Sequence, residues 1–324
     1  MKWKLSIFVS LAVAGSCMAK DRARTDWTAQ SQPSKESRLE GVKNEVYKRV
    51  GNTDLKIYII EPENLKPTDK RPAIVFFFGG GWKRGSADQF VPQARYFASR
   101  GMVAMTVDYR VYTRQQARIV DCVADAQSAI RWVRANARRL GIDPDRIVAS
   151  GASAGGHLAA TTGTVDDFTG PEEDHAISAR PNAMVLFNPG LDVASFDAIH
   201  PGNTKTPGIY FGVPLGADPR KLSPLFQVKP GAPQTIVFHG KADTGTPYAK
   251  SEAFVKAMKE AGNRCELFGF EGAPHGFFNW GAFDNKYFVE TLRDTDEFLI
   301  ALKYLSGKPT IDQFIKPKTA TRPG

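Results

Sequence analysis

The stretch Ile147-Val148-Ala149-Ser150-Gly151-Ala152-Ser153-Ala154-Gly155-Gly156-His157-Leu158-Ala159-Ala160-Thr161 decides how the chain is read. Its first residues form a short apolar run of the kind that makes a buried strand, and from Ala154 the sequence opens a helix. Between the two, Gly151-Ala152-Ser153-Ala154-Gly155 fits the pattern G-x-S-x-G, which requires a strand, a sharp turn and a helix in that order. Small residues are needed around the serine because such a turn presses its backbone against neighbouring chain. The Ser153 hydroxyl then projects above the sheet near the positive end of the next helix, placed as a nucleophile.

Outward from this turn, the chain alternates short apolar runs with amphipathic helices, the signature of a mostly parallel sheet covered on both faces. The expected strands are Ala73–Phe78, Met102–Val107, Arg146–Ala149, Ala183–Phe187, Thr235–Phe238 and Arg264–Phe270. An antiparallel entry pair, Glu45–Val50 and Asp54–Glu61, precedes them. Helices are expected at Ala117–Leu140, Tyr248–Ala261 and Lys286–Leu305, stopped by Gly141, Gly262 and Gly307. The segment Gly190–Gly231 fits neither pattern and reads as a lid or binding insertion.

A serine hydroxyl needs a base to take its proton, and the chain has five histidines. His157 follows the turn too closely, His175 and His200 lie in loop or insertion segments, and His239 ends a strand, so these read as hydrogen-bonded packing residues. His275, in the loop after Arg264–Phe270, is the expected base. Its acid is expected at Asp243, just past the preceding strand, in the order Ser, Asp, His; Asp192, after Ala183–Phe187, is the alternative. The N–H groups of Gly80, Gly81 and Ala154 are expected to receive the oxyanion, because Phe78-Gly79-Gly80-Gly81-Trp82 follows the first long strand and lacks side chains where donors must approach. Trp82, Phe277, Phe278 and Trp280 are candidate stacking surfaces for substrate, with plain core packing as the competing role.

With Phe78–Trp82, Asp108-Tyr109-Arg110, Gly151–Gly156, Asp243 and His275 in this order, the chain resembles the α/β-hydrolase superfamily over roughly Asn44–Leu305. It looks most like secreted bacterial esterases of the acetyl xylan esterase and feruloyl esterase kind, which share an H-G-G-G-W pattern with hormone-sensitive-lipase-like enzymes. Phe78 stands where that pattern has His, so the usual hydrogen bonding of the glycine loop is missing while its N–H donors remain. The resemblance implies an α/β-hydrolase fold and a Ser153, Asp243, His275 triad. It also implies hydrolysis of carboxylic esters through an acyl-enzyme, with no metal and no organic cofactor. Acetyl or feruloyl groups on a polysaccharide, or small esters, are the substrates it suggests. The competing readings are a peptidase of the prolyl-oligopeptidase kind, which normally carries a large propeller domain, and a binding protein that kept the fold but would usually have lost a triad member.

The composition agrees with one large soluble domain. The 324 residues are 42% hydrophobic and 24% charged, which excludes a disordered chain, a collagen and a polytopic membrane protein. The net charge of +9 is scattered rather than gathered on a stripe, so no nucleic-acid partner is expected. Residues 1–19, with Lys2 and Lys4 before the apolar run Leu5–Ala14, read as a signal peptide too short to span a bilayer, which implies a secreted or periplasmic protein. Ala14-Gly15-Ser16-Cys17 offers an alternative lipoprotein site that would leave Cys17 acylated. Residues 20–43 read as a polar lead-in, 44–306 as the catalytic domain and 307–324 as a basic solvated tail. Cys122 and Cys265 are expected to be separate buried thiols.

Overall fold

The computed structural model describes residues 37–195 and 208–316. Eight strands form one sheet in the order β1-β2-β4-β3-β5-β6-β9-β10. They are β1 Lys43–Val50, β2 Thr53–Ile60, β3 Arg71–Phe77, β4 Val103–Val107, β5 Ile142–Ala152, β6 Ala183–Phe187, β9 Gln234–Gly240 and β10 Cys265–Phe270. A two-stranded hairpin, β7 Ile209–Tyr210 with β8 Val213–Pro214, lies within the insertion. The β1-β2 and β2-β4 pairs are antiparallel, and every pair from β4 to β10 is parallel. The alternation of elements predicts this mostly parallel sheet, and it is the α/β-hydrolase fold that the resemblance implies.

Strand β3 shows why the sheet must be covered twice. Its residues alternate, with Ala73, Val75 and Phe77 in one apolar cluster and Ile74 and Phe76 in another, as a period of two requires. The first cluster takes Ile119, Val123, Ala126 and Ile130 from helix α3 Ile119–Ala135, Leu158 from helix α4 Ala154–Thr164 and Phe254 from the helix Tyr248–Glu260. The second takes Phe97 from helix α1 Val91–Ser99, and Leu292 and Phe298 from the helix Lys286–Ala301.

Several boundaries differ from the sequence expectation, each for a local reason. Helix α3 begins at Ile119 because the Asp121 carboxylate takes the Arg118 N–H. It ends at Ala135, after which Asn136–Leu140 wind off as turns to Gly141, where φ is +64°. The tail is not wholly solvated. Residues Ile311–Phe314 make a helical turn whose Ile311 is buried, whose Phe314 packs edge-on against Tyr96, and whose Asp312 pairs with Arg293 at 2.7 Å. At the other end, Ser37 Oγ and the Leu39 N–H donate to Asp88, so this part of the lead-in is held to the domain. Cys122 and Cys265 are separate, buried and unpaired. The proposed leader with Cys17, and the end of the tail, lie outside the described residues.

Candidate active site

The parallel strands deliver their following loops to one edge of the sheet, where β3, β5, β6, β9 and β10 contribute the residues of interest. Ser153 follows β5 directly and has φ 54° and ψ −118°, a conformation that a non-glycine residue holds only when its surroundings impose it. They do so by close packing. A Cβ on Gly155 would lie 2.0 Å from the Phe77 carbonyl oxygen, and one on Gly151 would lie 2.4 Å from the Gly155 oxygen. The Ser153 N–H donates to Phe187 at 3.0 Å, and its carbonyl accepts from His157 and Gly190. The half-buried hydroxyl sits at the head of α4.

The glycine loop crosses in front of this turn. A Cβ on Gly79 would be 3.4 Å from the Ser153 Cβ, and one on Gly80 would strike the Arg84 oxygen at 2.0 Å. Among the described residues, the Gly80 and Gly81 N–H groups donate to no protein acceptor. The Ala154 N–H, at the first turn of α4, has no carbonyl one turn back to receive it. These are the three N–H groups that the sequence analysis expects to receive an oxyanion. Phe78 shows how the loop is held without a histidine. Its ring stacks on Tyr109 with centroids 4.0 Å apart, and the Tyr109 hydroxyl donates to the Phe78 carbonyl at 2.7 Å.

Asp243, in the loop after β9, accepts His275 Nδ1 on Oδ2 at 2.8 Å. Its other oxygen takes the Gly245 and Thr246 N–H groups at 2.7 and 2.9 Å, and the Thr246 hydroxyl reaches Oδ2 at 3.1 Å. Burial pushes this carboxyl upward, but hydrogen bonds from His239 and His275 outweigh it and hold Asp243 well below the usual carboxylate range. It is therefore the ionised partner of the His275 ring. Asp192 is not: it is committed to Lys250 at 2.7 Å and to the Ala194 and Ser195 N–H groups. Among the described residues, His275 Nε2 and Ser153 Oγ have no hydrogen-bond partner, an open arrangement common before substrate binds.

The other described histidines make their hydrogen bonds elsewhere. His157 is buried and pushed down to about 4 by desolvation, with Nδ1 accepting from the Trp82 indole and Nε2 donating to the Leu222 carbonyl. His175 is exposed beside Asp167, and His200 lies outside the described residues. His239 does more than pack. Its Nε2 lies 2.7 Å from the Thr246 carbonyl and 3.3 Å from Asp243 Oδ2, while Nδ1 meets Ser251. The sequence hinted at this only through His239-Gly240 at the end of a strand four residues before Asp243.

The aromatic expectations need correction. Trp82 is only 2% exposed, clamped between His157 and Tyr210, so it has no free face for a sugar or phenolic ring. Phe277 is fully buried against Phe270 and Tyr287, and Phe278 against Phe187. Both follow His275 so closely that their rings anchor its loop in the core. Trp280 alone of the four remains 38% exposed. Phe283, not singled out from the sequence, is 50% exposed on the same loop, where Phe283, Asp284 and Asn285 all have positive φ. The described part of the insertion also departs from a free lid. Its β7-β8 hairpin packs Tyr210 on Trp82, and Leu222 receives His157.

The chain matches the family model described as BD-FAE over residues 55–258. Among solved structures, Thermogutta terrifontis esterase 2 phosphorylated by paraoxon is 51% identical, with a TM-score of 0.77 over 83% of this chain and 97% of that one. The propionate-bound form of the same thermophilic esterase is 52% identical, with a TM-score of 0.78 over 84% and 98%. A probable isoprenylcysteine alpha-carbonyl methylesterase of Oryza sativa subsp. japonica is 32% identical over 225 residues, 64% of this chain and 52% of that protein. Esterase LipC of Mycobacterium tuberculosis is 28% identical over 237 residues, 65% of this chain and 54% of that protein. The chain therefore spans about half the length of the curated relatives it matches. With a family match over most of the chain and about half of the aligned residues identical to those of a solved esterase, the chain belongs to the BD-FAE family, and its described region has the α/β-hydrolase fold of a serine carboxylic ester hydrolase.

Proposed function

We propose that the protein hydrolyses carboxylic esters through an acyl-enzyme on Ser153, with Asp243 and His275 completing the triad. The reading rests chiefly on one observation: an ionised Asp243 holds His275 Nδ1 at 2.8 Å, so that Nε2 is the nitrogen left to take a proton. Ser153 Oγ attacks the acyl carbonyl and gives its proton to His275 Nε2. Negative charge gathers on the carbonyl oxygen, where the Gly80, Gly81 and Ala154 N–H groups receive it. Collapse of the intermediate breaks the bond to the alcohol, which leaves with the proton from His275. A water molecule then repeats the sequence in reverse, releasing the acid and restoring Ser153.

The favoured substrates are esters of a polysaccharide or of small alcohols whose acyl group is a short aliphatic one such as acetyl, or else feruloyl. Solved relatives bound to propionate and to butyrate favour short acyl chains. Trp280 and Phe283, exposed on the loop that follows His275, are apolar faces of the kind that pack on a sugar ring. The leader-like residues 1–19 favour a secreted or periplasmic protein, in a compartment where such polymers are met.

Nitrophenyl esters from acetate to decanoate, beside acetylated xylan and methyl ferulate, test both parts. The expected result is kcat/KM highest for the shortest acyl groups and lost in Ser153→Ala, whose melting temperature stays that of the wild type. Activity surviving Ser153→Ala refutes the mechanism, and kcat/KM rising towards decanoate refutes the substrate class.

A further inference from the structure

We propose that Gln89 and Asn279 are positioning residues, which lock the loop carrying the oxyanion donors to the loop carrying the base through a one-way relay of side-chain amides. The inference rests on the reading of Ser153, His275 and the glycine loop given above. The Gly79 N–H donates to Gln89 Oε1 at 2.7 Å, Gln89 Nε2 donates to Asn279 Oδ1 at 2.9 Å, and Asn279 Nδ2 donates to the Gly276 carbonyl at 2.8 Å. A backbone N–H can only donate and a carbonyl can only accept. The two ends therefore dictate the orientation of both amides, and neither can flip without breaking two bonds.

What the relay joins is the second observation. Gly79 immediately precedes Gly80 and Gly81, and a Cβ there would be 3.4 Å from the Ser153 Cβ and 3.1 Å from the Ala152 oxygen. Gly276 immediately follows His275, and its N–H reaches Asn188 Oδ1 at the end of β6. The same two segments meet again beneath the amides, where the Phe90 ring stacks on Phe278 with centroids 5.9 Å apart. An apolar contact sets how closely the loops approach, and a polar relay sets their offset. Charge on the acyl oxygen and proton transfer to His275 must develop together. Slack between these loops is therefore felt in the transition state rather than in ground-state binding.

The test uses the full chain with nitrophenyl acetate and the variants Gln89→Met, Asn279→Leu, the two combined, and Gln89→Glu, which keeps an acceptor for Gly79 but has no donor for Asn279. Each single variant is expected to lower kcat about tenfold with KM changed less than about twofold. The double variant should lose about as much as one single variant, because a chain broken twice is no looser than a chain broken once. Folding is checked by thermal melting; if Gln89→Met does not fold, Gln89→Glu and Asn279→Leu carry the comparison. Wild-type kcat in folded variants, losses that multiply to about a hundredfold in the double variant, or a change in KM alone would each overturn the relay. Ser153→Ala is run alongside, since activity persisting there sinks the underlying mechanism whatever the amide variants show.

Discussion

Replacing Gly155 by alanine tests how tightly the serine turn is built. The added Cβ would sit 2.0 Å from the Phe77 oxygen, 2.3 Å from the Phe78 oxygen and 2.5 Å from the Phe77 carbonyl carbon, all backbone atoms. Ordinary contact needs more than an ångström of further separation between α4 and the end of β3. No flexible side chain can yield it, and Phe77 is locked in parallel register opposite Gly151. Overpacking of this kind costs about 1–3 kcal/mol, and losing one or two ladder hydrogen bonds adds about 1 kcal/mol each. A total near 4 kcal/mol corresponds to a fall in melting temperature of about 10 °C for a domain of this size. The same displacement moves Gly80 and Gly81 away from Ser153. At temperatures where the variant is still folded, kcat should therefore fall by about a hundredfold, comparable to losing an oxyanion donor. Gly262→Ala is the control, because its site has φ +76° and nothing within 4 Å, so only backbone strain of about 1–2 kcal/mol applies and kcat should not move. Melting curves and nitrophenyl acetate kinetics on both variants decide the matter. A Gly155→Ala protein that melts within about 2 °C of wild type with undiminished kcat would show that the close packing around Ser153 is not what shapes the turn.

Asp243→Asn should lower kcat by about ten-thousandfold, because an amide no longer holds the tautomer of His275 that leaves Nε2 free to accept a proton. Asp243 titrates below the ordinary carboxylate value in the folded state. Its stabilisation is thus present above about pH 4 and disappears as pH falls further, so the stability gap between wild type and variant in urea melts should narrow on acidification; a constant gap counts against this. Asp294 behaves oppositely. Burial, and then Glu290 and Glu297, push it up to about 6, so its contribution is intact below about pH 4 and lost as pH rises through 6. Asp294→Asn should therefore match wild type at pH 4 and exceed it at pH 8 by about 1 kcal/mol after allowance for solvent screening, or about 2–4 °C in melting temperature; equal melting at pH 8 refutes the assignment.

Much of the architecture could be read from the chain because its signals are local. Apolar runs such as Ala183–Phe187 mark strands through their own composition. Gly151–Gly156 encodes its turn because only residues without bulk fit that approach, and the offsets of Asp243 and His275 behind their strands put both at the sheet edge that Ser153 occupies. Tertiary structure alone decided which aromatic rings are enclosed. Trp82 and Phe277 could be read from the chain as stacking surfaces or as core, and the outcome is set by Tyr210 and His157, which arrive from distant segments to bury Trp82, and by Phe270 and Tyr287, which close on Phe277 from the flanking strand and helix. It likewise decided that Tyr109 steadies the loop at Phe78, that His239 is a second ring on Asp243, and that Gln89 meets Asn279 across 190 positions of sequence. Periodicity reports which face of an element is buried. It carries no information on which remote side chain will meet that face, because that choice depends on how the whole sheet stacks.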